Sequence, residues 1–197
     1  MSFFCSEGFC TKEELAELRS DLLSKYNVDT ERVLSYPKER YLHAFVLSDI
    51  PSVERIALKA LAYVKSQTLE NDWFLNYTRG AVALMTAARG IKRHQPWHRD
   101  ATSKSYTVCI PLVRVTEYNG CTEILMNSTR SPASRWRKHI KERKRVICKA
   151  GSIYVFDARL LHRGTLNTQK QNRSILGIEI VQQAKVHYVS DQENWEV

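Results

Sequence analysis

The sequence predicts an α+β protein: a double-stranded β-helix, or jelly-roll, core over about residues 81–190 behind a helical preface over about residues 1–80. Three observations predict it. Helical periodicity with helix-start signals is confined to the N-terminal part. From about residue 82 the texture changes to short runs rich in β-branched and aromatic residues, separated by polar or glycine-bearing turns. Finally, no internal repeat, low-complexity tract or Pro/Ser-rich linker divides the 197 residues, so one elaborated domain is expected.

Each element follows in order. Thr11 followed by Glu14 is a capping-box signature, and Leu15, Leu18 and Leu22 recur at spacings of three and four, which predicts an amphipathic helix over about 12–26. A turn is expected around Tyr36 and Pro37. The stretch YLHAFVL (41–47) alternates as a strand does, and Pro51 opens a second helical pattern, SVERIALKALAYVKSQTL. The runs AVALMTA, YTVCIPLVRV, CTEILM, SIYVFDA and SILGIEIV then read as strands, with Gly120 and Gly151 directly before two of them, where a turn needs a permissive backbone.

Composition narrows the class. No run of about 18 uncharged apolar residues occurs, and MSFFCSEGFC has neither a basic start nor an apolar stretch of signal length. A soluble intracellular protein is expected, in the cytoplasm or the nucleus; the ending NWEV is not a peroxisomal signal. Cys5, Cys10, Cys109, Cys121 and Cys148 form no CxxC pair and are odd in number, so reduced thiols are expected. The net charge is +9, of which residues 130–145, RSPASRWRKHIKERKR, carry +7. The basicity is therefore local.

The chemistry-bearing residues lie in the β-rich part. In HQPWHRDA, His98 and Asp100 are two apart, so on an extended strand both side chains point to one face. A second histidine, His162, follows the strand-like SIYVFDARLL. Two histidines and one carboxylate on one face leave three positions open on an octahedral ion, the arrangement suited to ferrous oxygenases. With six His and seven Asp, a chance His-X-Asp arises roughly 0.2 times per chain, so that pair alone is weak. Arg173, eleven residues after His162 and across a polar turn containing Asn167, could return beside the metal and grip a carboxylate with two parallel hydrogen bonds. His43, His94, His139 and His187 are expected to be ordinary hydrogen-bonded histidines.

Over roughly residues 80–182 the chain resembles the phytanoyl-CoA dioxygenase family of Fe(II)/2-oxoglutarate oxygenases. The likeness rests on Gln95 in the turn before the His-X-Asp, the Asn119–Gly120 turn before CTEILM, His162, and Arg173 eleven residues on. The resemblance implies His98, Asp100 and His162 as iron ligands and Arg173 as the partner of the distal carboxylate of 2-oxoglutarate. It also implies Fe(II), 2-oxoglutarate and O2 as requirements, ascorbate as a candidate stimulant, and hydroxylation of a substrate with release of succinate and CO2. A carboxylate at Asp100 leaves no vacant ligand position for halide, against a halogenase.

The chain also departs from the family pattern. NSTRSPASRWRKHIKERKR stands where members commonly carry a Pro-Gly-Ser-His turn, so the lid over the substrate is expected to be rebuilt as an exposed helix or a loop. VCIPL stands where an aromatic often lines the co-substrate pocket, which makes Cys109 a candidate lining residue. Trp97, Tyr106 and Trp136 are either substrate contacts or packed aromatics. The leading substrate class is a small or carrier-linked organic molecule. A nucleic-acid-directed dioxygenase would use Arg135, Trp136, Arg137, Lys138, Lys141, Arg143, Lys144 and Arg145, although Glu179 stands where the alkylation-repair enzymes usually show a second arginine. A catalytically inactive jelly-roll binding protein is the remaining alternative.

Overall fold

The structure, a computed structural model, describes residues 2–25, 40–78, 81–130 and 133–182. Two helices follow from the start signals. Helix α1, Lys12–Lys25, is closed by the predicted box: Thr11 N donates to Glu14 Oε2 at 2.7 Å and Glu14 N to Thr11 Oγ1 at 3.2 Å. Helix α2, Pro51–Thr68, begins with Pro51, whose missing N–H costs nothing in the first turn. Leu18 and Leu22 of α1, with Val53, Ile56, Ala60 and Val64 of α2, are completely buried.

The strands are β1 (Phe3–Ser6), β2 (Arg40–Phe45), β3 (Trp73–Leu75), β4 (Val82–Ala87), β5 (Ser105–Pro111), β6 (Thr122–Leu125), β7 (Arg143–Val146), β8 (Ile153–Asp157), β9 (His162–Gly164) and β10 (Arg173–Gln182). They form two antiparallel sheets. The larger runs β1-β8-β5-β10-β4-β2, with β3 also paired to β10; the smaller runs β7-β6-β9.

Strand alternation sorts the side chains into two cores. Leu84, Val108, Val155 and Leu176 pack with α1 and α2 on one face of the large sheet. Their strand neighbours Met85, Cys109, Tyr154, Phe156 and Ile175 face the small sheet and meet Ile124 and Val146. Tyr154 Oη and Thr122 Oγ1 join the sheets at 2.9 Å. The space between them holds the site.

The first 80 residues are not a purely helical preface. Besides α1 and α2 they supply β1, β2 and β3 to the large sheet, so preface and core interleave. FFCS and WFL are too short to display a period. The strand predicted over 41–47 ends at Phe45 and gives way to a 3-10 turn over Leu47–Asp49.

The basic segment is likewise neither one helix nor a free loop. A 3-10 stretch over Ala133–Glu142, kinked at Arg135, passes directly into β7. Tyr36, Pro37 and His187 lie outside the described residues, as do the side chains of Trp136, Lys138 and His139. No helix among the described residues is long and apolar enough to cross a membrane.

Candidate metal centre

The segment after β4 reaches the site as an extended strip stitched to the first residue of β9 and to the β8–β9 connection. His98 N donates to His162 O at 3.0 Å, His162 N returns to His98 O at 2.9 Å, and Asp100 N donates to Ala158 O at 3.0 Å. This antiparallel bridge sets the two imidazoles side by side, ring centroids 4.3 Å apart, and Asp100 joins them from two residues on. One donor atom from each of the three residues lies within 4.8 Å of the others. His162 Nε2 is 3.2 Å and His98 Nε2 3.9 Å from Asp100 Oδ1.

The tautomers follow from the surroundings. His98 Nδ1 lies 2.9 Å from Pro96 O and His162 Nδ1 3.1 Å from Leu160 O, the carbonyl two residues back in each case. A carbonyl can only accept, so each Nδ1 carries a proton, which leaves each Nε2 as the ring nitrogen available to a metal. Thr107 Oγ1 donates to Asp100 Oδ2 at 2.7 Å, which leaves Oδ1 turned to the imidazoles. Burial alone would raise the Asp100 carboxyl, but His162, His98 and the Thr107 hydroxyl outweigh it and hold it well below the usual carboxylate range. For His162, burial pulls the imidazole down and the Asp100 carboxylate more than restores it, so it ends above its ordinary value.

Arg173 opens β10 opposite Ala87 and is 4% exposed. One terminal nitrogen donates to the Gly120 carbonyl, and its buried Nε has no partner among the described residues. Among the described residues no carboxylate pairs with it. Burial lowers its pKa from the ordinary arginine value, yet a guanidinium stays charged in proteins. Arg173 and the three clustered side chains line one cavity of about 280 Å³, with Met85, Phe156 and Ile175 as apolar wall.

The structure thus brings His98, Asp100, His162 and Arg173 to one cavity, and Cys109 joins the lining. Burial pushes the Cys109 thiol up to about 12, so it is a neutral wall group rather than a thiolate. Gln95 is fixed by accepting from Gly164 N at 2.7 Å. Tyr106 packs in the helix-side core, 4.7 Å from the Trp73 ring, and Trp97 packs with Leu125 and Leu161; both are packed aromatics outside the cavity lining.

Within the basic segment, Arg143 and Arg145 pair with the buried Glu123, while Arg135, Arg137, Lys141 and Lys144 are exposed. Glu179 is held by Asn76 Nδ2 at 2.8 Å. Thr107 and Glu123 were not anticipated. The alternation of YTVCIP already set Thr107 on the face of Cys109, whereas nothing local marks Glu123 as buried.

The sequence matches the family described as Phytanoyl-CoA dioxygenase (PhyH) over residues 4–175. No curated protein matches. Among solved structures, the chain is similar to the non-heme α-ketoglutarate-dependent epimerase SnoN from nogalamycin biosynthesis, with a TM-score of 0.75 and 16% identity, covering 92% of this chain and 76% of that one. AviO1 from Streptomyces viridochromogenes Tue57 gives a TM-score of 0.74 at 18% identity, covering 93% and 90%. EctD from S. alaskensis, with 2-oxoglutarate and 5-hydroxyectoine, gives 0.71 at 16%, covering 91% and 71%. At these identities the structural likeness is one of fold.

Proposed function

The chain belongs to the phytanoyl-CoA dioxygenase family of Fe(II)- and 2-oxoglutarate-dependent oxygenases, and we propose that it hydroxylates a small or carrier-linked organic substrate with release of succinate and CO2. His98, Asp100 and His162 would hold the iron through Nε2, Oδ1 and Nε2, and Arg173 would hold the distal carboxylate of 2-oxoglutarate. The observation that carries this reading is the buried, carboxylate-free guanidinium of Arg173 on the same cavity as the three clustered donors. A buried cation without a counter-charge is costly, and an anionic co-substrate relieves that cost.

With 2-oxoglutarate and O2, bound iron supplies the oxidising power, so the protein's work is to bind and orient. The Pro96 and Leu160 carbonyls fix which imidazole nitrogen faces the metal. Thr107 holds Asp100 with one oxygen free. Met85, Phe156 and Ile175 give the cavity an apolar wall beside the reacting centre. A cavity of about 280 Å³ is at the small end for ligand sites, so beside 2-oxoglutarate it admits a small substrate or the reacting end of a larger one. An epimerase and a carbocyclase share the fold, so hydroxylation is the finer part of the proposal. Arg143 and Arg145 are tied to Glu123, so the nucleic-acid alternative would lean on the exposed Arg135, Arg137, Lys141 and Lys144.

The test needs no substrate. With Fe(II), ascorbate and 2-oxoglutarate, the wild type should release succinate slowly, and His98→Ala and Asp100→Ala should not. Full turnover in either variant would overturn the ligand assignment.

A further inference from the structure

The face of the small sheet turned away from the cavity carries an arrangement that the reaction does not use. Glu123 on β6 has no exposed side-chain surface and stands opposite Arg145 on β7 and Arg163 on β9, so a cation, an anion and a cation lie in one row across three strands. Its Oε2 accepts from Arg163 Nε at 2.8 Å, and the Arg163 terminal nitrogen is also 2.8 Å away. Its Oε1 accepts from Arg145 Nε at 2.9 Å, with Arg143 at 3.4 Å. Burial would raise the Glu123 carboxyl, and Arg145 and Arg163 more than reverse that.

Arg163 does a second thing. Its guanidinium lies 4.4 Å from the centre of the Trp97 ring. Arg163 follows His162 and Trp97 precedes His98, and these two histidines are joined by the backbone bridge. Because successive side chains on extended backbone point to opposite faces, the imidazoles meet on the cavity side and Trp97 and Arg163 meet behind them. Ile140 of the basic segment packs against the same cluster of Trp97, Leu125 and Leu161.

We infer that Glu123, Arg163 and Trp97 are positioning residues: a brace behind the His98–His162 bridge that sets the spacing of the two imidazoles, with β7 of the basic segment locked onto it through Arg145 and Arg143. Part of the basic insertion therefore serves the metal centre from behind. The planar guanidinium is what the brace needs, since it forks to a carboxylate at its edge and stacks on an aromatic by its face. Groups that orient metal-binding histidines typically govern metal affinity by about 10–100-fold.

The inference rests on the reading of His98 and His162 as metal ligands, and the test separates the two. Cobalt(II) is titrated calorimetrically into the full-length apoprotein, well below its unfolding temperature. No cobalt binding by the wild type would sink the ligand reading and the brace with it. With the wild type binding, Arg163→Gln and Trp97→Leu should weaken cobalt at least tenfold, and Trp97→Phe, which keeps an aromatic face, should stay within threefold of wild type. Glu123→Gln should act like Arg163→Gln; Arg163, whose side chain is 18% exposed where that of Glu123 is wholly buried, serves if Glu123→Gln does not fold. Wild-type cobalt affinity in folded Arg163→Gln or Trp97→Leu, or an equal loss in Trp97→Phe, overturns the brace.

Discussion

At the scale of single residues, Arg173 makes a two-sided prediction. Replacing it by Leu removes a buried charge that lacks a carboxylate, so the apoprotein should gain about 1–3 kcal/mol of stability. The same change removes the proposed anchor, so the 2-oxoglutarate requirement should rise at least tenfold, and the stabilisation that added 2-oxoglutarate gives the wild type should vanish. Thermal unfolding with and without 2-oxoglutarate reads both effects, and a destabilised apo variant would count against the unpaired-cation argument. Thr107→Val should weaken metal binding several-fold while leaving the fold intact, because Asp100 loses the hydroxyl that holds its second oxygen. That His98, Asp100, His162 and Arg173 share one cavity was expected from two short spacings, His-X-Asp and His162 to Arg173, joined by the family resemblance. Thr107, reached through alternation on another strand, and Glu123, buried only by arginines brought from β7 and β9, depend on pairing that no single stretch displays.

Among elements, the Asn119–Gly120 turn does more than start β6. Gly120 has φ of +88°, an added Cβ would stand 2.9 Å from the Ala87 Cβ and 3.5 Å from an Arg173 nitrogen, and its carbonyl receives Arg173. Gly120→Ala should cost about 1–3 kcal/mol, read by chemical denaturation, and should raise the 2-oxoglutarate requirement as well. By contrast Thr11→Ala should cost about 1 kcal/mol through the α1 cap and leave 2-oxoglutarate use unchanged. Long periodic elements such as α1, α2 and β10 were readable from sequence to within a residue or two, whereas the run YTVCIPLVRV overshot β5, which stops at Pro111. Of the three- and four-residue strands only β6 was, within CTEILM, and β7 was hidden by its charge. RKRV reads as a solvated run until Glu123 on the facing strand explains it.

For the whole molecule, two buried thiols tie stability to pH. Burial pushes Cys10 up to about 11 and Cys109 to about 12 from 9.0. The unfolded chain therefore releases these protons first. Stability should hold below about pH 9 and fall between about pH 9 and 11 by up to about 1.4 kcal/mol per pH unit for each thiol. Denaturation midpoints at pH 8, 9, 10 and 11 measure this, and a flat profile would contradict the burial. The jelly-roll class was evident from the change of texture near residue 82, but the interleaving of β1, β2 and β3 was not, because strand partners are chosen by the folded whole. That choice gives the two halves of the site unequal footing. Arg173 sits on β10, which is hydrogen-bonded along both edges to β4 and β5, whereas His98 hangs from the first residue of β9 and Asp100 from Ala158 by a short set of backbone bonds. In deuterated water, the amides of His98 and Asp100 should exchange long before those of Ile175 to Ile178, and metal should slow only the former. A partial opening would thus release a bound metal while the strand that carries Arg173 stays shut.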